Sequence, residues 1–560
     1  MNDRSSPASL IALGLGAVLS ACGGGGGSGG AASGSFAAVE LLPAPGERGV
    51  ELDTVVVATF NRPLHEESLD EESFLLEDAR GRVATAIQYD ADTHTLALVP
   101  EGPLARMAGY TVQLRDSIRA ADGQFLASPL SWSFVTREGV WDAPRLVDEE
   151  ISSASVPHAA IDARGSVVAV WTRWDGQHSH VAWSRGDAFA GSWEKARDLT
   201  VNRLGDARSP RVAVNARGDA MAVWYEFDGF RYDVYALAGP AESALFGTDQ
   251  PLTTRLAGSA SNPHVAVDAR GNALAVWYQW DGRSSHIWAS RYGAQAGSWD
   301  EPVCLNPLAQ GNAVYPRVVM GAEGEGLAVW LQAGGGERHV WASRFARAAR
   351  TWQAPSVIDR GENSLAHFPE LAADETGNTL VVWVERRPPQ GPPGVNSLWS
   401  NRFDAAGEAW RGPGRLRDTG IALQGARCAV NAPGDVLVAW TEAHETGWRV
   451  WAMRQPAGSD SWEERELLED ILDLVRPPSL ALDAAGNACV TWSQREGENL
   501  IAVSRRYAAV DKRWRPLDVL GAVDGTSLDP VVVMQPDGAA VVLFAQWDGT
   551  AQRIQAKTLQ

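Results

Sequence analysis

The sequence predicts an all-β protein in which a β-sandwich precedes an eight-bladed β-propeller closed by N- and C-terminal strands. Two observations carry this prediction. An apolar strand with a Trp near its end, as in "GNALAVWYQWDG" (271–282), recurs at intervals of 52 to 57 residues, each time with three further strand-like runs. Four strands at such a period are typical of propeller blades. Before the repeats, short β-branched runs occur without that period, which favours a sandwich.

The N-terminus begins with an export signal. Arg4 precedes an apolar run, 10–19, which is too short to span a bilayer as a helix and matches the core of a secretory signal. The run ends in "LSAC" (19–22), which resembles a bacterial lipoprotein signal. The resemblance implies that residues 1–21 are removed and that Cys22 carries lipid; the alternative is an ordinary cleavage site beside a chance Cys.

A tether follows the signal. Residues 22–35 are almost all Gly, Ser and Ala, a composition that cannot pack and predicts a flexible chain. With Cys22 lipidated, this segment would hold the exported protein at a bacterial membrane. We expect the outer membrane, on either its periplasmic or its surface face.

Composition excludes several classes of partner. The formal net charge of −20 argues against nucleic acid or anionic lipid as the main partner, because both need basic patches. Beyond Cys22, the cysteines Cys304, Cys428 and Cys489 show no metal-ligand spacing and lie in apolar runs, which predicts buried free thiols. No motif indicates nucleotide, phosphate, zinc or a catalytic nucleophile, so we expect no cofactor and no metal.

Residues 36–137 make up the predicted sandwich. Runs such as "TVVVATF" (54–60) and "SWSFVT" (131–136) are separated by turn formers. The stretches "PAPGERGVELDTVVVATFNRPL", "LALVPEGPLARMAGYTVQL" and "DGQFLASPLSWSFVT" resemble the bacterial Ig-like domain first described in surface-layer proteins. The resemblance implies a spacer or adhesive module without catalytic residues.

Residues 138–560 carry the repeats. The anchoring aromatic stands at Trp171, Trp224, Trp277, Trp330, Trp383, Trp440, Trp492 and Phe544. In chain order each repeat has a first strand such as 263–268, a second strand that carries the anchoring aromatic, a third such as 286–291 and a fourth that starts with an aromatic, such as 299–305. A strand of the fourth type, 141–146, precedes every first-type strand, and the chain ends after a third-type strand. We therefore predict that 141–146 pairs beside 553–560 and closes eight blades into a ring, which leaves no sheet edge exposed. The Pro- and Gly-rich stretch 386–397 predicts a longer surface loop.

Turns and tryptophans have structural explanations. Asp-Gly in the "WDG" turns (174–176, 280–282 and 547–549) suits a tight hairpin, and one or two carboxylates are too few for a calcium loop. Most Trp residues recur in register, which favours packing between blades over a carbohydrate platform. Trp448, which is off-register, and the turn residues Trp174, Trp280 and Trp547 are the candidates for exposure.

A ring of polar residues is the candidate ligand-contact site. First-type strands are innermost in a propeller, so the residues that follow their Pro should surround one mouth of the central channel. The candidates are His158, Arg211, His264, Arg317, Glu370 and Arg427. One hypothesis is that this mostly basic ring binds an anionic group such as a carboxylated sugar. The alternative is that the residues are solvated and paired with carboxylates of neighbouring blades, such as Asp162 or Asp268.

Turns such as "RYGAQAGSW" (291–299) distantly resemble the Asp-box hairpin of sialidase-like propellers, although only the Trp is retained. The arginine triad, Tyr–Glu pair and acidic catalyst of sialidases cannot be placed. Tyr225 and Glu226 are adjacent in a strand and point to opposite faces.

We predict a monomeric, membrane-anchored, non-enzymatic binding or scaffold lipoprotein whose propeller meets a protein or polysaccharide of the cell envelope. The alternative is a glycan-active enzyme, a sialidase-like hydrolase or a lyase, with its site at the channel mouth. A third option is a sensor or assembly subunit that docks to an outer-membrane machine.

Overall fold

The computed structural model describes residues 35–150, 153–200, 205–239, 249–253, 258–307, 311–360, 364–386, 396–445, 447–469, 476–523 and 525–560. Within them the fold is all-β apart from one 3-10 turn, Glu66–Ser68. The predicted signal, the lipidation of Cys22 and nearly all of the tether lie outside the described residues, as does most of the predicted 386–397 loop.

The N-terminal domain is a sandwich of two sheets, as predicted. In order across the first sheet the strands are Ala38–Leu42, Val56–Phe60, Thr95–Pro100 and Thr85–Asp90. Across the second they are Arg48–Val50, Leu130–Thr136, Gly109–Leu114, Phe74–Asp78 and Gly81–Arg82. Between the sheets lies an aromatic core that includes Phe36, Phe60, Phe74, Tyr110 and Phe134, all nearly or fully buried.

The remaining eight sheets are the propeller blades, numbered 1 to 8 along the chain. Each blade has a first, second, third and outer strand, from the channel outwards. The strands of blades 1 to 4 are Ser153–Ile161, Ser166–Trp174, Ser179–Asp187 and Arg197–Asp198; Ala207–Val214, Ala220–Phe227, Tyr232–Gly239 and Gln250–Pro251; Ala260–Val267, Ala273–Trp280, Ser285–Gly293 and Ser298–Trp299; and Ala313–Met320, Gly326–Gly334, Glu337–Ala346 and Thr351–Trp352.

Blades 5 to 8 repeat the pattern. Their strands are Ala366–Ala373, Thr379–Arg386, Asn396–Asp404 and Ala409–Trp410; Leu423–Val430, Val436–His444, Gly447–Gln455 and Glu466–Leu467; Ser479–Leu482, Ala488–Glu496, Asn499–Ala508 and Arg513–Trp514; and Ser527–Met534, Ala540–Trp547, Gln552–Leu559 and Arg145–Leu146. Four blades carry a second outer segment: Val303–Cys304, Ser356–Val357, Gly414–Thr419 and Asp518–Val519.

The ring closes as the sequence predicts. Arg145 pairs with Ala556 and Leu146 with Gln555, so the outer strand of blade 8 comes from the start of the propeller and its inner strands come from the end. Blade 8 also meets blade 1, where the Gln535 side chain donates to the Asp162 carbonyl at 2.9 Å.

The anchoring aromatics form the core between blades. All eight are completely buried: Trp171, Trp224, Trp277, Trp330, Trp383, Trp440, Trp492 and Phe544. A buried Trp removes some 150–250 Å² from water, which stabilises the fold by roughly 4–6 kcal/mol before entropy is counted. The prediction that these residues pack between blades is confirmed. Trp448 is half-buried against the core of blades 6 and 7.

Strand direction defines two faces of the propeller. First strands start at the upper face, where the turns between second and third strands also lie. The turns between first and second strands, and between third and outer strands, form the lower face. In blade 3 the lower turn is built as predicted: Asp268 Oδ1 accepts the backbone N–H of Arg270 and of Asn272, both at 2.8 Å, and Gly271 has φ +82°.

The Ig-like domain docks on the lower face of blades 7 and 8. The Arg106 backbone N–H donates to the Asp537 carbonyl at 2.8 Å, and the Asn487 side chain donates to the Arg106 carbonyl at 3.2 Å. An ion pair joins Arg48 to Asp511 at 2.8 Å. The domain therefore lies on the face opposite the upper mouth of the channel.

The three described cysteines are free thiols. Cys489 is buried, as predicted, whereas Cys304 and Cys428 are half-buried. Burial raises the pKa of the Cys489 thiol to about 12. Within the described residues no helix has the length and apolar character needed to cross a membrane.

Candidate functional site

A repeated bulge builds the upper mouth of the channel. In blade 4 the pairing of the first strand shifts between Val314 and Arg317, and between them Tyr315 adopts φ +55° in front of Pro316. The same left-handed backbone stands at Val156, Ser209, Asn262, Phe368, Gly425 and Asp529. A bulge re-aims the side chains around it. The residue after the bulge thereby faces its counterparts around the channel.

The structure brings the predicted ring together. At the upper mouth, Arg211, Arg317, Glu370 and Arg427 line a cavity of about 300 Å³. The two histidines of the ring, His158 and His264, lie close enough to these residues that the arginine and glutamate charges shift their pKa values. Together, the six residues are called the channel ring below.

Glu370 is the carboxylate partner within the channel ring. Its two oxygens accept from Arg317 Nε at 3.1 Å and Nη2 at 3.0 Å, and Oε1 also accepts from Arg427 Nη1 at 3.0 Å. The pairing with Asp162 or Asp268 that the alternative interpretation named is wrong. Both aspartates cap lower-face turns instead.

The pKa values of the titratable residues determine the net charge of the channel ring. Burial disfavours the Glu370 carboxylate, but Arg317 and Arg427 outweigh it and lower its pKa to about 2. Burial, followed by repulsion from Arg317, lowers the pKa of His264 to about 3. Burial and Arg211 hold the pKa of His158 well below its usual value. At neutral pH the ring therefore carries three positive charges and one negative charge.

Arg211 stands apart within this ring. Among the described residues its guanidinium donates one hydrogen bond, to the Pro210 carbonyl at 3.1 Å, and no carboxylate pairs with it. Burial, and then the charge of Arg317, lower the pKa of Arg211 to about 10, so it stays charged at neutral pH. Glu370 attracts this charge but forms no ion pair with it. Enclosing a cation without a direct partner is unfavourable, and an incoming anion that paired with Arg211 would relieve that cost.

Two aromatic side chains at the mouth escaped the sequence analysis. Tyr315 and Phe368 line the same cavity, their ring centroids are 5.6 Å apart, and they are 38% and 42% exposed. The direction of these two side chains depends on the left-handed bulge before Pro. A bulge leaves no periodic pattern in the sequence, so the direction could not be predicted from strand alternation. The dipeptides Tyr315-Pro316 and Phe368-Pro369 were the available signal, because no other repeat has an aromatic residue at this position.

The cavity does not supply the pair of carboxylates that glycoside hydrolases use. Glu370 is the one carboxylate among the described residues that line it. Glu226 is buried elsewhere and accepts a hydrogen bond from Trp224 Nε1 at 3.2 Å. Within the described residues no group of three or more His, Cys, Asp or Glu is placed to hold a metal ion.

Comparison with known families matches one part of the chain. Residues 34–136 match the bacterial Ig-like domain. This agrees with the sandwich seen in the structure and with the resemblance noted in the sequence. No curated protein shows significant similarity to the chain.

Solved structures with similar strand arrangements come from several proteins. A Dyadobacter fermentans protein of unknown function is 13% identical, with 75% of this chain and 98% of that chain covered and a TM-score of 0.38. A polysaccharide lyase, the PL25 ulvan lyase, is 9% identical, with 74% and 95% covered and a TM-score of 0.44. The NanB sialidase of Streptococcus pneumoniae is 10% identical, with 94% and 93% covered and a TM-score of 0.35. All three TM-scores lie below 0.5, so the propeller assignment depends on the strand pairing of this chain.

Proposed function

We propose that this protein is a non-enzymatic lipoprotein of the bacterial cell envelope that binds an anionic ligand, such as a carboxylated sugar, at the upper mouth of its propeller. Lipid on Cys22 and the tether 22–35 anchor it to the membrane. The Ig-like domain serves as the spacer between tether and propeller.

The observation that carries the proposal is the enclosed guanidinium of Arg211, which pairs directly with no carboxylate of the described residues. In a protein of net charge −20, the channel ring is locally positive because Glu370 neutralises one of its three arginines. The cavity of about 300 Å³ lies at the small end of ligand sites, which suits one or two sugar rings. A carboxylate accepts two parallel hydrogen bonds from a guanidinium, the geometry that makes arginine selective for such groups.

The position of the Ig-like domain on the lower face also supports the proposal. Because this domain occupies the lower face, the mouth with Arg211 stays open to a ligand while the protein is anchored.

The test uses the full-length detergent-solubilised protein on an array of carboxylated, sulfated and neutral glycans. Arg211→Gln should weaken binding of the best carboxylated glycan at least tenfold, since bonds to charged groups are worth about 1.5–3 kcal/mol. Arg217→Gln is the matched control: this arginine is 61% exposed in a lower-face turn and should leave binding unchanged. Equal binding by Arg211→Gln and the parent protein, or a preference for neutral glycans at the mouth, would contradict the proposal.

The same experiment addresses the enzymatic alternative. Any anionic polysaccharide that binds is incubated with the protein, and its chain length is followed by size-exclusion chromatography. We expect unchanged length. Shortening that Arg211→Gln abolishes would make the mouth a catalytic site and refute the non-enzymatic role.

A further inference from the structure

The upper face is asymmetric in its aromatic side chains. Three residues after the anchoring aromatic, the second strands of the consecutive blades 8, 1, 2 and 3 end in Trp547, Trp174, Phe227 and Trp280. In blades 4 to 7 the same position holds Ala333, Arg386, Ala443 and Arg495. One half of the upper rim therefore carries an aromatic ring in every blade.

These rings reach solvent, unlike the anchoring aromatics. Trp174, Trp280 and Trp547 are 43%, 40% and 43% exposed. In blade 2, Phe227 packs against Tyr232 with centroids 5.2 Å apart, and Phe230 at the tip of the turn is 94% exposed. Large apolar side chains exposed in a consecutive series are informative, because soluble proteins usually expose them singly. Trp547, Trp174, Phe230 and Trp280 are called the aromatic arc.

Every turn of the arc is held by the same aspartate bonds. In blade 1, Asp175 Oδ1 accepts the backbone N–H of Gln177 at 2.7 Å and of His178 at 2.8 Å. Asp228, Asp281 and Asp548 make the equivalent pair of bonds in blades 2, 3 and 8. Fixed turns position the rings before any partner arrives, which lowers the entropic cost of binding.

We infer that the aromatic arc is a binding surface for a polysaccharide chain, whose apolar sugar faces stack on successive rings. This surface lies on the same face as the channel ring but uses different residues, so it goes beyond the ligand proposed for the mouth.

Charge favours a polysaccharide over a membrane or a nucleic acid. Each turn of the arc places an aspartate near the exposed ring. In three blades this carboxylate contacts a basic side chain of the same hairpin: His180 contacts Asp175, His286 contacts Asp281 and Arg553 contacts Asp548. The turns therefore form no basic patch, and the whole protein is acidic. Anionic lipid and nucleic acid both need basic residues around such rings. An uncharged or amino-sugar chain needs no such basic patch.

The inference is tested on the full chain with the triple variant Trp174→Ala/Trp280→Ala/Trp547→Ala. Probes are cellohexaose, chitohexaose and purified peptidoglycan, with affinity measured by calorimetry or by sedimentation with the insoluble probe. The parent protein should bind at least one probe, and the triple variant should bind it at least tenfold more weakly, because it lacks three of the four rings on which the sugars stack. The corresponding Trp→Phe variant should retain most of the affinity.

Three comparisons make the test specific. Phe125→Ala removes a ring that is 57% exposed on the Ig-like domain and should leave binding unchanged. Arg217→Gln, which removes an exposed charge from a lower-face turn, should also leave it unchanged. Vesicles of phosphatidylethanolamine and phosphatidylglycerol serve as the competing partner. Absence of binding to every glycan probe, or vesicle binding that the triple variant loses, would overturn the inference.

Discussion

Replacing Glu370 by Gln removes the single negative charge of the channel ring. The carboxylate bridges Arg317 and Arg427, and the side chains of Glu370 and Arg317 are only 16% and 18% exposed. Without it, three guanidinium groups face one another across the upper mouth. We expect a less stable protein that binds anions more tightly, because both arginines released by the substitution lack their counter-charge.

The size of the stability loss follows from the pKa of this carboxyl. Its value is about 2 in the folded protein against an ordinary 4.5, a difference that corresponds to about 3 kcal/mol at neutral pH. A lowered folded-state pKa stabilises the protein above pH 4.5, and the contribution is lost as the pH falls towards 2. By pH 3 less than about half of it remains. The parent protein and Glu370→Gln should therefore converge in stability between these two pH values.

The measurement is urea unfolding followed by tryptophan fluorescence at pH 7, 5, 4 and 3. Glu323→Gln provides the control, since Glu323 also bridges two arginines, Arg270 at 2.9 Å and Arg347 at 2.8 Å, but is 71% exposed on the lower face. We expect the control to lose much less stability than Glu370→Gln, because solvent screens exposed ion pairs. A loss for Glu370→Gln that is no larger than the control, or that does not change with pH, would refute the electrostatic account of the channel ring.

Three further predictions concern the core, the closure and the anchor. Trp277→Ala should lower the free energy of urea unfolding by about 3–5 kcal/mol, because the side chain is completely buried. A loss no larger than that caused by Trp280→Ala, at a partly exposed position, would contradict the place of Trp277 in the core. Deleting residues 552–560 removes the partner of Arg145–Leu146 and exposes a sheet edge, so we expect aggregation in light scattering, and a stable monomer would contradict the closure. Cys22→Ser should abolish incorporation of labelled palmitate and release the protein from the membrane fraction; unchanged fractionation would remove the lipoprotein assignment.

The repeat pattern was enough to predict the ring of blades. Trp171 and its counterparts recur in register because each must fill the same space between sheets, and the position of 141–146 ahead of the first complete repeat indicated how the ends meet. Both signals depend on the repeat period, which a single sequence is enough to display. The sandwich was visible in the same way through its strand spacing and its resemblance to the bacterial Ig-like domain.

The channel ring was predictable only as a set of positions. Its members share a position in the first strand, after Pro in every case except Arg427, which follows Ala426. Their partners depend on which charges stand at that position in the adjacent blades. Glu370 pairs with Arg317 of the preceding blade and Arg427 of the following blade, 53 and 57 residues away, and nothing local identifies that choice. The aspartates suggested instead, Asp162 and Asp268, are committed to turns.

The docking of the Ig-like domain on blades 7 and 8 had no sequence signal at all. It depends on contacts such as Arg106 with Asp537 that join residues more than 400 positions apart. Polar contact residues of this kind do not recur at a fixed interval and belong to no sequence motif, so the sequence alone does not identify them.

If the protein is held by its N-terminus, as we propose, this docking has a mechanical consequence. Tension on the tether would first reach the Ig-like domain and then the short segment that leads into Arg145–Leu146, the strand that fastens the ring. Arg506 clamps that segment by donating to the Gly139 carbonyl at 3.0 Å, and Gln560 and Val140 exchange backbone bonds at 2.9 and 2.8 Å. Force is thereby spread into blades 7 and 8 before it can peel the fastening strand away.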